Sequence, residues 1–516
     1  MKKILLSVLA VVTMFTSCNE DLLDTQNPNQ IGDADFYQTL EQIGTSTTAI
    51  YAVMQGNRLV GREYFFIHDL RSDEMKPGGA NLEAHRAQVW NGVHTYTNGV
   101  LVEVYQGLFT IIHRANTVID KGSSLTVPAD KQGLLDRYIA EAKFFRGFAY
   151  YTLGALWGGV PLYEHFATSF ADAKPRSTQA ETFQFALADA NAAASVLPAS
   201  YGASDMGRIT KGAAYTLAGK INLCMGNYTA AKTALEAVKA TGVYSLVDNY
   251  FDNFKEETEF NSESVFEVAF TSSGYGWSAS GNGTGSESWV RSQEYSPLGW
   301  NNLIPNEKIV GAFEDGDSRL KDSMYFPGDK YNNDTETLTV ADMGADNSTD
   351  YKGTPIKIRW KKYSIMYKTH PTGTFTTVGI NYRLWRYADV LLMLAECENE
   401  VGTSGNAINY LNEIRNRPSV SMPNYGTAAM DAAGYPVGTK ADIFKAIEHE
   451  RFVELCAEEI RNIDILRWRM NGKLTSEPIS YFQANKFELL PIIQNEFNTN
   501  PNLSYPDDQN PGYKED

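Results

Sequence analysis

The chain lacks a basic surplus. Its 45 Lys and Arg face 62 Asp and Glu over 516 residues, a formal net charge of −17, and a partner such as nucleic acid or anionic lipid would call for a basic stripe instead. Cysteine is scarce, at four residues. After Cys18 only Cys224, Cys397 and Cys456 remain, each inside a helix-like pattern rather than in a paired CxxC spacing. They read as small buried hydrophobes, so one disulfide is possible and a disulfide framework is not. No apolar run reaches the ~20 residues of a transmembrane helix.

Catalytic signatures are missing as well. The seven histidines stand apart, and His449-Glu450 has no second His four residues on, so the HExxH zinc helix is absent. Gly276-Trp277-Ser278-Ala279-Ser280 fails the nucleophile elbow at its last position, and Gly281–Gly285 lacks the GxGxxG spacing. Neither Gly219-Lys220 nor Gly472-Lys473 is followed by the Ser or Thr of a P-loop, and Asp315–Arg319 departs from a calcium loop. No cofactor or metal is implied and no enzyme is expected. A glycosidase, which needs only two carboxylates about 5–10 Å apart, stays open as an alternative.

What is present is an ordinary globular balance, 43% hydrophobic and 12% aromatic, with enough chain for a large core. Lys2 and Lys3 precede an apolar stretch, Ile4 to Phe15, and Thr16-Ser17 lead into Cys18. This is the pattern of a bacterial lipoprotein signal over 1–17, with Cys18 becoming the lipidated first residue of the mature chain. Residues 18–34 are polar and rich in Asn and Asp, with Pro28 among them, a tether.

From Asp35 a helical period begins. Tyr138, Ala142, Phe145, Ala149, Leu153 and Leu156 form one stripe ended by Gly158-Gly159. In Tyr215–Val238, small residues at Ala218, Gly219 and Ala231 flank the turn Gly226-Asn227, as in a tetratricopeptide repeat. A second copy lies at Tyr387–Arg415, Tyr138–Trp157 with Thr182–Pro198 suggests a third, and Ala441–Arg469 a fourth. One such pair cannot bury both faces, so several must stack into a mainly α, tetratricopeptide-like superhelix. The division expected is 35–270 and 380–516 as helical-repeat parts packing as one body, with a loop-rich, ligand-facing region at 271–379. Val265–Phe270 and Ile356–Trp360 read as strands.

Three of the eight tryptophans, Trp277, Trp289 and Trp300, fall within Thr271–Trp300, beside Tyr275 and Tyr295 and among Gly and Ser. Rings on a loop without helical or strand spacing suit sugars, whose C–H faces stack on indole and phenol while their hydroxyls need polar partners. The competing reading is that the rings pin a long loop to the body. Trp90 and Tyr96, in polar sequence, form a second candidate surface, with Asp73 as an acceptor for paired hydroxyls. The candidate ligand-binding set is therefore Trp277, Trp289, Tyr275, Trp90, Trp300, Tyr96 and Asp73.

Longer words then become specific. Asn381-Tyr382-Arg383-Leu384-Trp385-Arg386-Tyr387-Ala388-Asp389, Asn409-Tyr410-Leu411-Asn412-Glu413-Ile414-Arg415, Glu450-Arg451 with Glu454, Glu458, Arg461 and Asp464-Ile465-Leu466-Arg467-Trp468, and the tail from Leu489-Leu490-Pro491 to Gln509-Asn510-Pro511-Gly512-Tyr513 together resemble the SusD/RagB family of surface lipoproteins. The resemblance covers nearly the whole mature chain. It implies a non-catalytic, lipid-anchored protein at the outer membrane, exposed at the cell surface, that binds an oligosaccharide or polysaccharide and hands it to a SusC-like TonB-dependent transporter. RagB-like members serve peptide uptake, which is the nearest alternative.

Overall fold

The computed structural model describes residues 36–80, 82–271, 290–344, 346–368 and 378–515. The expected lipoprotein signal over 1–17, Cys18 and the expected tether over 18–34 lie outside the described residues. The architecture is a tetratricopeptide-like stack of antiparallel helices. Gln132–Trp157 packs on Gly99–Ser124 and on Gln179–Val196, which leads to the hairpin Lys211–Cys224 and Tyr228–Ala240. That hairpin meets a second, Tyr387–Val401 and Ser404–Arg415, on which Lys440–Glu454 packs.

Local chemistry explains the boundaries. Thr178, Thr210, Thr403 and Thr439 each cap the helix that follows, their hydroxyls accepting a backbone N–H two or three residues inside it. Gly226, at φ +71°, makes the left-handed turn between the helices of the first hairpin, and a Cβ at Gly219 would lie 2.7 Å from the Leu235 side chain. The small residue is what lets those two helices touch.

The fourth predicted pair takes a different form. Ala441–Arg469 is split by residues 455–460, where Ala457 and Glu459 hold positive φ, and its second half, Arg461–Met470, packs on Lys211–Cys224 and on Glu63–Asp69 rather than continuing the stack. Apolar periodicity alone did not register that break, because the loop residues Leu455, Cys456, Ala457 and Ile460 are themselves buried.

Strand Ser264–Val268 pairs antiparallel with Tyr382–Arg386, so the loop-rich region is tied at its neck. The single strand expected at Ile356–Trp360 is divided: Thr354–Ile356 forms a hairpin with Thr349–Tyr351, and Arg359–Trp360 pairs with Met324–Tyr325. Within the region Tyr325, Tyr331, Leu338, Met343 and Met366 make a small core of their own, separate from the main one.

Cys224, Cys397 and Cys456 are buried free thiols. Burial pushes Cys224 up to about 12 and Cys456 up to about 11, so little thiolate forms near neutrality. Iodoacetamide at pH 8 is expected to leave all three unlabelled over an hour in the native protein and to label them in denaturant, as read by intact mass.

Candidate functional site

Trp300 stands where three separate stretches of chain meet. Strand Met75–Pro77 pairs with Leu303–Pro305, and Gly78 N–H donates to the Asn302 carbonyl at 3.1 Å. From the third stretch, Asn347 N–H donates to Gly78 O at 2.9 Å and its amide donates to Pro77 O at 2.9 Å. The loop carrying Trp300 is held tightly: Trp300 N–H donates to Gln293 O at 2.6 Å, Leu298 N–H to Asp342 O at 2.9 Å, and both Leu298 and Asn301 have positive φ. Backbone in that region costs a non-glycine residue free energy, and the hydrogen bonds offset it.

Three apolar side chains are exposed on these stretches. Trp300 is 45% exposed and Leu298 43%, and Val340, on the neighbouring stretch, is 59% exposed. Polar groups lie on the same stretches. Thr339 donates through its N–H (2.8 Å) and hydroxyl (2.7 Å) to Asp342 Oδ2, which holds that carboxyl below the ordinary carboxylate range. Lys76 donates to the Ser348 carbonyl at 2.9 Å and Lys357 to the Gly344 carbonyl at 2.8 Å. An exposed indole can stack on an apolar face of a ligand, and the hydroxyls around such a face need polar partners. Among the described residues no group of three or more His, Cys, Asp or Glu is placed to hold a metal.

Gly78 sets this geometry by close approach, since a Cβ there would fall 1.8 Å from the Asn301 carbonyl oxygen. Gly78→Ala is expected to force the strand pair apart and to cost about 1–3 kcal/mol, measured as a lowered unfolding midpoint.

The other sequence candidates separate. Tyr275, Trp277 and Trp289 lie outside the described residues. Tyr295 takes the pinning role: it is buried, and its hydroxyl donates to Asp69 at 2.9 Å. Asp73 is engaged inside the protein. Its carboxylate accepts from Arg461 at 2.7 and 3.1 Å and is buried. Burial would raise it, but the Arg461 guanidinium, with Lys308 beyond, holds it below the ordinary range, so both oxygens serve an internal ion pair and not a ligand. Trp90 is half-buried against the core, at the end of helix Ala84–Trp90. Tyr96 stacks on Tyr505, ring centroids 5.4 Å apart and 17° from parallel, on a surface shared with the C-terminal segment. Leu298, Val340 and Asp342 were not anticipated, and only the turn-like Ser296-Pro297-Leu298-Gly299 preceding Trp300 could have drawn attention to them.

With that geometry established, comparison with known proteins is decisive. The SusD family profile matches residues 262–513, and one described as starch-binding, associating with outer membrane, matches residues 21–223. The chain belongs to the SusD family. A SusD-like protein of Formosa agariphila is 25% identical over 99% of this chain and 100% of its own length. Among solved structures, a SusD superfamily protein from Bacteroides vulgatus superposes with a TM-score of 0.73 at 25% identity, covering 91% of this chain and 99% of the other. The surface glycan-binding protein A from Bacteroides thetaiotaomicron in complex with laminarihexaose superposes with a TM-score of 0.72 at 19% identity, again over 91% and 99%. Within the SusD fold, Trp300 sits on the loop-rich region and not on the helical stack.

Proposed function

We propose that this SusD-family chain is a cell-surface glycan-binding lipoprotein that captures oligosaccharides and delivers them to a SusC-like TonB-dependent transporter, held at the outer membrane by lipid on Cys18. The observation that carries the reading is the exposed Trp300 on a loop locked by hydrogen bonds to two neighbouring stretches. A solvent-facing indole on rigid backbone gains little for the fold and much for a stacked ligand. Trp277, Trp289 and Tyr275 are proposed to extend the same platform, while Trp90 and Tyr96, which lie on other segments, are proposed as a separate contact surface for the ligand. A relative of the same fold was solved with laminarihexaose, which supports a glycan as the ligand class and makes β-glucans the first probes. The chain binds without turnover in this reading. Lipid anchoring and a partnered transporter raise the local concentration of the site, so modest affinity suffices.

The test is to present the full chain, in detergent, to plant, host and microbial polysaccharides alongside peptide pools, following binding and product release together. Binding to one glycan class without release is the expected result. Peptide binding in its place would make the chain an importer subunit for peptides, and released sugar would make it a hydrolase.

A further inference from the structure

A second concave site lies on the helical stack, away from Trp300. Tyr105 and Phe109 stand one turn apart on helix Gly99–Ser124, Tyr163 and Phe170 come from the loop that follows helix Gln132–Trp157, and Glu496 comes from helix Gln494–Thr499. Together they line a groove of about 440 Å³, within the range of small-molecule sites. The rings are mutually tilted: Tyr105 and Phe109 have centroids 4.8 Å apart at 33°, and Phe109 and Tyr163 have centroids 6.3 Å apart at 83°. Tyr105 is buried at the floor against Phe109, and Phe109 and Tyr163 are partly exposed above it. Phe170, 76% exposed, stands at the rim.

One charge sits among these rings. Glu496 is the only acidic residue lining the groove among the described residues; no Lys or Arg lines it, and of the two histidines that do, His113 and His165, the second is turned to Asp120 at 2.9 Å. Its carboxylate accepts from Asn500 Nδ2 at 3.0 Å and faces the Tyr105 hydroxyl. Both neighbours are neutral, and burial pushes the carboxyl above its ordinary range. An ionised carboxylate in an aromatic groove lacks its counter-ion, and aromatic faces favour the same sign of partner through their quadrupoles.

We propose that this groove is a binding site for a small organic ammonium ion, the rings enclosing its C–H surface and Glu496 pairing with its charge. Either an alkylammonium or an amino sugar presents that chemistry. The experiment titrates the full chain by calorimetry with choline and with glucosamine, and with their uncharged counterparts 3,3-dimethylbutanol and glucose. At least one ammonium is expected to bind about tenfold or more tightly than its neutral counterpart. Choline alone would identify an alkylammonium as the source, and glucosamine alone an amino sugar. Glu496→Gln is expected to remove about tenfold of the ammonium affinity. Phe170→Ala, at an exposed position that the fold does not need, is expected to lower it several-fold with an unchanged unfolding midpoint. Equal affinity for charged and neutral members of both pairs, no binding of either ammonium, or ammonium binding indifferent to Glu496→Gln and Phe170→Ala would overturn the proposal.

Discussion

Replacing Glu454 by glutamine is expected to destabilise the fold by about 3–5 kcal/mol. Glu454 accepts from three buried guanidinium groups: Arg319 at 3.0 Å, Arg386 at 3.1 Å and Arg417 at 2.9 Å. The same arginines reach further. Arg319 also pairs with Asp317 at 2.8 Å and Glu450 at 2.6 Å, Arg386 with Glu458 at 2.7 Å and with Glu263, and Arg417 with Glu263 at 2.6 Å. Strand Tyr382–Arg386, helix Arg319–Ser323 of the loop-rich region, helix Lys440–Glu454 and the turns carrying Glu263, Arg417 and Glu458 are joined at one point. A buried ion pair is weak evidence of net stabilisation, since two desolvated charges gain little over packed apolar groups. Removing one partner is different, because glutamine would take away the one anion shared by three buried guanidinium groups and leave their positive charge under-balanced by the carboxylates that remain. Chemical denaturation of Glu454→Gln and the parent at pH 7 measures the difference.

The pH dependence has a definite sign. Burial would raise the Glu454 carboxyl, but Arg417, Arg386 and Arg319 hold it far below its ordinary value. Asp389, likewise buried, is brought down to about 2 by Lys220 and Arg451. Groups lowered on folding contribute stability that is full above their unfolded pKa, about 4, and is lost as pH falls toward the folded value. Asp69, Glu74 and Glu459 act oppositely, since burial and neighbouring acids raise them. The gap between the parent and Glu454→Gln is therefore expected to be constant from pH 7 to 5 and to narrow between pH 4 and 2.

Trp300→Ala carries the second large effect. A stacked indole should contribute about 1–3 kcal/mol to glycan binding from buried apolar area and ring contact, so the variant should bind roughly 5- to 150-fold more weakly. Its unfolding midpoint should hardly move, because nearly half of the side chain already faces solvent. Leu298→Ala, beside it, is expected to give a smaller loss of the same kind.

Much of the scaffold was legible in the sequence, because helix hairpins require small residues at fixed offsets and a turn glycine, and Ala218, Gly219 and Gly226 supply them. The words shared with the family across Glu450–Trp468 were legible as recurring residues, but their work is internal: Arg451 pairs with Asp389 and Asp464, and Arg467 with Glu396. Charge in a linear sequence does not reveal whether its partner lies three residues or three hundred away. The ion pair of Asp73 was hidden for that reason, its partner Arg461 being 388 positions distant. The groove at Tyr105 and Phe109 was hidden by its own regularity, since two rings one helical turn apart read as core. Trp300 was visible by its setting in an irregular, ring-rich segment, where neither helix nor strand offers burial.

The most direct measurement is hydroxyl-radical footprinting of the full chain, read by mass spectrometry, with and without the glycan that binds best. Protection of Trp300 and Leu298 on adding glycan is the expected result. Undiminished oxidation of both at saturating glycan would contradict the assignment of the ligand surface.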